Sequence, residues 1–434
     1  MKRVSPSERT KEEIGKLLRE GTKTGNPKSE LVRLGIKRVL EEVLEAGVRD
    51  LLGREYYERR SEGPSGYRNG SRRGRLKTTE GEVVHEVPQV RGVDGSPLRE
   101  LRAQVSGRTE GLEGLVVEMF ARGCSTRDIE ALLATEQGEK LLSRTAVSEI
   151  TEALWREYEE FVTRDLSDVK PLYLFLDGIA ERLRPGAKSE AILCAWAITE
   201  QGRKVLVHLA PGTKESTDCC RDFLEDLKRR GLGEPVLVIT DGAAGLMRAV
   251  EECFSLSLRQ RCLAHKMRNL LSKVPPELQE EVKQAAQAAY QAPSPAVARA
   301  LREDFVGHFG QELPTAVRCF EEDFEACIAH LYLPPGHRRA ARTTNLLERL
   351  FVEERRRTRA VGTLFGERPV LKLMFGALIR ASESWRPLGI ETFERHQLER
   401  LREALTQQHR RTHAPVVNPD LDSAPNRISS KKGT

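Results

Sequence analysis

The stretch Leu172–Gly178, LYLFLDG, is an apolar run that stops at a carboxylate. Five Leu, Tyr and Phe residues without polar alternation predict a strand buried on both faces, with Asp177 where that strand leaves the sheet. The pattern recurs at Pro235–Gly242, PVLVITDG, where Val236, Leu237, Val238 and Ile239 lead to Asp241. Each aspartate precedes a glycine, Gly178 and Gly242, which lets the chain turn sharply and lets a ligand approach the backbone. Alone, either aspartate reads as the cap of a turn. Two acids at the ends of two buried strands suggest one site.

The surrounding chain has 434 residues, enough for roughly three domains at about 150 residues each. Its 71 basic and 65 acidic residues nearly cancel, so charge distribution carries more meaning than the sum of +6. The start, MKRVSPSERTKEEIG, is charged, and no apolar run is long enough to span a bilayer; a cytoplasmic protein with no membrane partner is expected. Eight scattered cysteines without a CxxC pair fit reduced thiols in cores rather than disulfides.

From Lys11 to Leu52 the apolar residues Leu31, Leu34, Val39, Leu40, Val43, Leu44, Val48 and Leu51 recur at helical spacing. Between Arg54 and Lys77 stand eight basic residues, Arg68, Arg72 and Arg73 among them, with Tyr56, Tyr57 and Tyr67 interleaved and glycines predicting an irregular course. Such a segment suits a phosphate backbone and equally suits a solvated basic loop. Residues 79–90 predict one or two short strands. Three helices are expected at Leu112–Ala121, Thr126–Leu133 and Arg144–Tyr158, the last two capped by Ser125 and Ser143, in a helix-turn-helix-like arrangement that puts Arg144 early on the third.

Strands are predicted at Leu172–Leu176, Ala191–Ile198 and Lys204–Leu209, with a turn at Arg184–Ser189, then a helix over Glu215–Arg230, the strand Val236–Thr240, the helix Ala243–Cys253 and a short segment at Ser257–Cys262. Three strands in hairpin succession followed by alternating helices and strands match a ribonuclease-H-like α/β core, which sets the two aspartates side by side. From Met267 to Leu333 the pattern is helical throughout. In Ala341–Gly362, ARTTNLLERLFVEERRRTRAVG, Leu346, Leu347, Leu350 and Phe351 form an apolar face; Glu348 lies beside it, and Arg349, Arg355, Arg356, Arg357 and Arg359 crowd the other side. Those arginines suit phosphate binding or a solvated face with pairs such as Glu353–Arg357. The tail from Ala414 is polar and proline-bearing, and disorder is expected.

Taken in order, GYRNGSRRG around Tyr67, LSRTAVSEIT at Leu142–Thr151, LFLDG, VITDG, Cys262-x-x-His265-x-x-x-Asn269 and TTNLLER followed by RRRT resemble the Mutator-type transposases of bacterial insertion sequences. The likeness runs from about Gly66 to Trp385. It implies that Asp177, Asp241 and Glu348 form an acidic catalytic triad, and that the helical stretch before Glu348 is the family's insertion. Two departures touch the flanks: Glu181 stands where relatives often carry a basic residue, and Leu350-Phe351-Val352-Glu353-Glu354 replaces a more polar stretch.

The resemblance implies binding of double-stranded DNA, both the terminal inverted repeats and the target, by a homodimer or higher oligomer that cleaves and joins strands. In-line attack on a phosphodiester develops charge on both attacking and leaving oxygens, which two Mg²⁺ ions about 3.5–4 Å apart stabilise; Mn²⁺ is expected to substitute. Asp177 is the expected bridge between the ions. Cys262 and His265 form half a zinc site and read as structural, with the histidine anchoring a strand end near Asp241. Competing readings are a DNA-binding protein without catalysis and a stand-alone nuclease. The expected organisation is residues 1–105, a mainly helical and basic DNA-binding region; 106–165, helix-turn-helix-like; 170–266, the first part of the core; 267–340, the helical insertion; 341–390, the second part of the core; and 391–434, a helical extension and tail.

Overall fold

A computed structural model describes residues 4–21, 26–56, 58, 66–134, 138–181, 190–212, 217–361, 366–383 and 385–412. The expected turn at Arg184–Ser189 and tail from Ala414 lie outside the described residues, as do Tyr57 and the side chains of Glu181, Leu346, Leu347, Glu353 and Arg359. No helix is long and apolar enough to cross a membrane among the described residues. The chain divides into two compact units.

One unit comprises Met1–Tyr158 with Arg355–Leu364 and Arg368–Ala377. It begins with helices α1 (Pro6–Glu20) and α2 (Pro27–Leu52), each opened by a side-chain cap, Ser5 and Asn26, and a proline in its first turn. The irregular course expected of the basic segment then fails. Tyr67–Thr78 is a strand, β1, paired antiparallel with β2 (Gly81–Arg91). After α3 (Ser96–Gln104) a short β3 (Gly107–Arg108) adds in parallel, giving the order β2-β1-β3. Arginines and glycines mask a strand whose inner face is completed by its partner: Leu76 and Thr78 are buried, whereas Arg72, Arg73 and Arg75 stand exposed. Leu44, Val48 and Leu52 of α2 cover Val87 and Leu98. Glu41, buried in α2, accepts the β2 amide of Glu86 (3.1 Å) and the hydroxyl of Thr10 (2.6 Å), so a carboxylate occupies an amide of this outer strand.

The three expected helices follow as α4 (Glu110–Ala121), α5 (Thr126–Leu132) and α6 (Arg144–Thr163). Ser125 and Asp128 form a reciprocal capping box, and Leu112, Val116, Phe120, Ile129, Val147 and Leu154 share one core.

The second unit holds Glu159–Glu354, Phe365–Glu367 and Leu378–Thr434. Its strands are β4 (Pro171–Glu181), β5 (Glu190–Thr199) and β6 (Lys204–Gly212), then α7 (Thr217–Arg229), β7 (Leu237–Thr240), α8 (Ala244–Cys253) and β8 (Leu258–Arg261). The sheet order is β6-β5-β4-β7-β8; β5 runs antiparallel to both neighbours, while β7 is parallel to β4 and β8 to β7. Strands β4 and β7 are buried on both faces, as their unbroken apolar runs predict. Leu174, Leu176 and Val238 face α7 and α8, packing with Phe223, Leu224 and Val250.

Past the sheet the described chain is helical: α9 (Leu263–Leu271), α10 (Gln279–Tyr290), α11 (Pro295–Phe309), α12 (Pro314–Glu321), α13 (Phe324–Ile328) and α14 (Pro335–Ala341), joined by two 3₁₀ turns. Tyr290, Phe305, Phe309 and Phe320 form the aromatic centre of this insertion, whereas Tyr332 is exposed. Then come α15 (Asn345–Val361), α16 (Glu367–Glu383) and α17 (Thr392–Thr412). Fully buried Trp196 of β5 stacks on Trp385, with centroids 4.9 Å apart and planes at 17°, tying the segment after α16 to the sheet. Trp196→Ala is expected to cost about 3–5 kcal/mol in urea unfolding; a loss below about 1 kcal/mol would mean that neighbouring side chains refill the cavity and the stack holds little.

Candidate active site

Parallel pairing fixes the first two acids. Phe175 lies opposite Ile239 in the β4–β7 ladder, and two residues further along each chain stand Asp177 and Asp241. With two residues per pleat repeat, both acids share the face of Phe175 and Ile239, on strands about 4.8 Å apart. Sequence reading placed Asp177 at the end of its strand. Instead β4 continues to Glu181, because β5 pairs past it with Cys194 opposite Asp177, and only β7 has ended at that level. Asp177 is therefore almost enclosed, at 5% exposure, while Asp241 is half-exposed on the turn beyond β7.

The two glycines differ accordingly. Gly242 has φ of 97° and lies against the Arg261 guanidinium, 2.6 Å from where a Cβ would sit, so both conformation and space require glycine. Gly178 continues the strand, and its amide donates to Asp177 Oδ1 at 2.9 Å. Asp241 Oδ1 accepts the amide of Ala243 at 3.0 Å. Burial, reinforced by the charge of Asp241 and then of Glu348, pushes the Asp177 carboxyl up to about 7, against the opposing pull of His265 and the Gly178 amide.

Glu348 arrives from far along the chain through a stitched junction. Cys262 opens α9 and its sulfur accepts from the amide and the hydroxyl of Thr344, both at 3.3 Å; the Leu263 amide donates to Arg342 O at 3.0 Å; and the Glu348 amide donates to Thr344 O at 3.1 Å. The start of α15 is thereby fastened to the start of α9. Leu350 and Phe351, both buried, hold the apolar side of α15. Glu348 Oε1 then lies 3.4 Å from His265 Nε2 and 3.5 Å from Arg268 Nη2.

The expectation of a histidine beside Asp241 is thus met differently, with His265 contacting Glu348. A hydrogen bond with Cys262, then the charges of Cys262, Asp177 and Glu348, raise the imidazole's pKa over the opposing effect of burial. That interaction is poorly aligned, since His265 Nδ1 has no hydrogen bond of good geometry. For Cys262 burial pushes the thiol up, but His265 and Thr344 together hold it below its usual range.

The donor set is three carboxylates, hard oxygen ligands of the kind that suit Mg²⁺, which keeps several waters and needs few protein ligands. Among the described residues, however, no three His, Cys, Asp or Glu side chains are already gathered into a metal cage. The residues fit the ion in kind, and the set is open on the side of Glu348.

The expected DNA contacts sort unevenly. Arg72, Arg73 and Arg349 are exposed. Arg68 donates to the carbonyls of Glu55 and Arg54, both at 3.1 Å, and stacks over Tyr56. Arg144 Nε pairs with Glu130 at 3.1 Å. Arg355, Arg356 and Arg357 belong to the hairpin-bearing unit, where Arg357 Nη1 donates to Ala121 O at 2.9 Å and Ala377 O at 3.3 Å. Sequence reasoning missed Arg268 and Arg261. Arg268 lies three residues after His265 and so on the same helical face, a signal that was present, whereas nothing local announces that Arg261 packs on Gly242 while pairing with Asp323 at 2.6 Å.

Comparison with known proteins gives a consistent result. The sequence model of a family described as Transposase, Mutator family matches residues 9–387. The transposase for insertion sequence element ISRM5 of Rhizobium meliloti (strain 1021) is 30% identical over 375 residues, covering 85% of this chain and 93% of the relative. The transposase for IS6120 of Mycolicibacterium smegmatis is 30% identical over 62% of this chain and 84% of its own. The transposase for IS256 in transposon Tn4001 of Staphylococcus aureus is 26% identical over 80% and 89%.

The raised Asp177 carboxyl gives a pH dependence of known sign. Folded protein keeps this proton up to about pH 7, whereas the unfolded group releases it near its ordinary value of 3.8. The native state therefore binds more protons between these values, and metal-free protein should lose stability as pH rises through that window. Asp177→Asn should flatten that part of the curve in thermal unfolding followed from pH 4 to pH 8; an unchanged slope would show that Asp177 is ionised throughout.

Proposed function

Because the chain belongs to the Mutator family of transposases, we propose that its sheet is a ribonuclease-H-like core whose Asp177, Asp241 and Glu348 cut and join DNA strands. Its role is DNA transposition. The observation that carries the chemical reading is the β4–β7 register, which brings Asp177 and Asp241 to one level on one sheet face, with Glu348 close enough to act electrostatically on Asp177.

Asp177, Asp241 and Glu348 would hold two Mg²⁺ ions, which supply charge stabilisation on the attacking and leaving oxygens of a phosphodiester. The chain's own contribution is placement. Asp177 presents a carboxylate from a strand paired on both sides, so its backbone cannot drift when DNA enters. Asp241 sits on the tight turn that Gly242 permits, held by the Ala243 amide. Glu348, in contact here with His265 and Arg268, would have to leave them and turn toward Asp177 to join the site.

DNA recognition falls to the unit with the β1–β2 hairpin and helices α4 to α6, whose exposed Arg72, Arg73 and Arg75 are typical of phosphate contacts. Joining two element ends calls for a homodimer or larger assembly on the DNA. Asp177→Asn, Asp241→Asn and Glu348→Gln should each abolish cleavage of an end-containing duplex in Mg²⁺ while keeping duplex affinity within about twofold, since a metal ligand and not a phosphate contact is lost. Cleavage at near wild-type rate by any one of them would remove that residue from the triad.

A further inference from the structure

In the hairpin-bearing unit lies a cavity of about 340 Å³ whose polar lining is Arg72, Arg73, His85, Arg99, Arg102 and Ser106. The pleat puts Arg72 on the face of Gly74, His85 and Val87, where it meets Arg99 and Arg102 of α3, while Arg73 belongs with Glu86 on the other face; no carboxylate lines the cavity among the described residues. Such a concentration of like charge with no internal counter-ion costs stability unless an anion enters.

The neighbouring acids do not compensate for it. Glu86, across the ladder from Arg73, is bound by Arg9 at 3.0 Å and by the Ser71 hydroxyl at 2.8 Å. Asp94 takes the amide and hydroxyl of Ser96, and Arg99 donates to that same hydroxyl at 2.8 Å, its charge being the smallest of the effects on Asp94. Arg102 donates one Nη to the Pro88 carbonyl, while its buried Nε has no partner. Arg72 and Arg73 make no hydrogen bond or ion pair among the described residues.

The floor of the cavity supplies a second, independent sign. His85 is 1% exposed, yet neither ring nitrogen has a hydrogen bond of acceptable geometry. Burial lowers its pKa against the smaller opposing effect of the Val83 backbone, which favours the neutral ring. A buried polar group left unpaired is destabilising and is uncommon unless a ligand or water completes it. Gly74 gives the ring its space: a Cβ there would lie 2.5 Å from His85 Nε2.

We infer that this pocket holds a phosphodiester of duplex DNA, gripped by Arg72 from β1 and by Arg99 and Arg102 from α3, with His85 donating from below. The volume has room for a phosphate and several waters, each occupying ~30 Å³ in the liquid. The inference rests on the reading of this unit as the DNA-recognition part. It adds Arg99 and Arg102 of α3 and His85 to the DNA contacts expected from the sequence, of which Arg72 is one. Contacts of this kind fix position on the duplex and are independent of base sequence.

A fluorescein-labelled random-sequence duplex, titrated with the full chain across a series of salt concentrations, tests it. Arg72 and Arg99 are exposed, so Arg72→Gln and Arg99→Gln should spare the fold, and Arg19→Gln on α1 serves as a charge-matched control. Each pocket variant should weaken binding about tenfold at low salt, and the double variant should lower the slope of log K against log salt by about one to two, while the control stays within about twofold. If wild-type protein binds the duplex and the double variant matches it in affinity and slope, the pocket is overturned and the DNA reading stands. If wild-type protein fails to bind duplex at all, the DNA reading falls and the pocket with it. Thermal stabilisation of wild-type protein by inorganic phosphate, lost in the double variant while duplex binding is untouched, would assign the pocket to a small anion and likewise overturn the inference.

Discussion

The parallel register of β4 with β7 is the constraint on which the acidic site depends. Once Tyr173, Leu174 and Phe175 are set against Leu237, Val238 and Ile239, Asp177 and Asp241 have no choice of level or face. A slip of one residue would turn one acid to the opposite face, among Leu174, Leu176 and Val238, where a carboxylate has no compensating partner. The fully buried apolar residues on both strands therefore specify the site as firmly as they stabilise the sheet. The cost appears at Asp177, whose buried carboxyl is pushed toward its protonated form by desolvation and by the second acid. Local unfavourable electrostatics of this kind, inside an otherwise consistent core, are expected where a cation or substrate completes the structure.

How Glu348 reaches this face is a matter of tertiary stitching. The Cys262–Thr344 contacts and the Leu263–Arg342 bond close the long helical excursion between α9 and α15, so the insertion returns the chain to the point where it left. A second tie comes from Asp323 just before α13, which pairs with Arg261, and Arg261 in turn packs over Gly242. Asp323 itself has φ of 56°, unusual for a residue with a side chain. The helical insertion and the turn bearing Asp241 are thus mechanically joined.

Much of this was legible because the signals are local. Unbroken apolar runs ending in acids gave two strands, prolines and helical spacing gave the insertion, and Ser125 with Asp128 gave a helix start. What the sequence concealed was partnership. Tyr67–Thr78 looks irregular because glycines and arginines dominate it, and it becomes a strand only through its antiparallel pairing with β2. Asp177 looked like a strand end because its own apolar run stops there, yet β5 carries the ladder past it. Arg144 and Arg357 looked available to DNA, but Glu130 and two main-chain carbonyls engage them. No composition or spacing rule reveals which carbonyl lies across a fold.

The account stands or falls on whether the three acids form one metal site. A structure of the full chain with end-containing duplex DNA and Mn²⁺, its ions located by anomalous scattering, measures that directly. The account predicts Mn²⁺ between Asp177 and Asp241, with the Glu348 carboxylate turned away from His265 and Arg268 to become a ligand. Mn²⁺ bound elsewhere, with Glu348 still on His265, would contradict it.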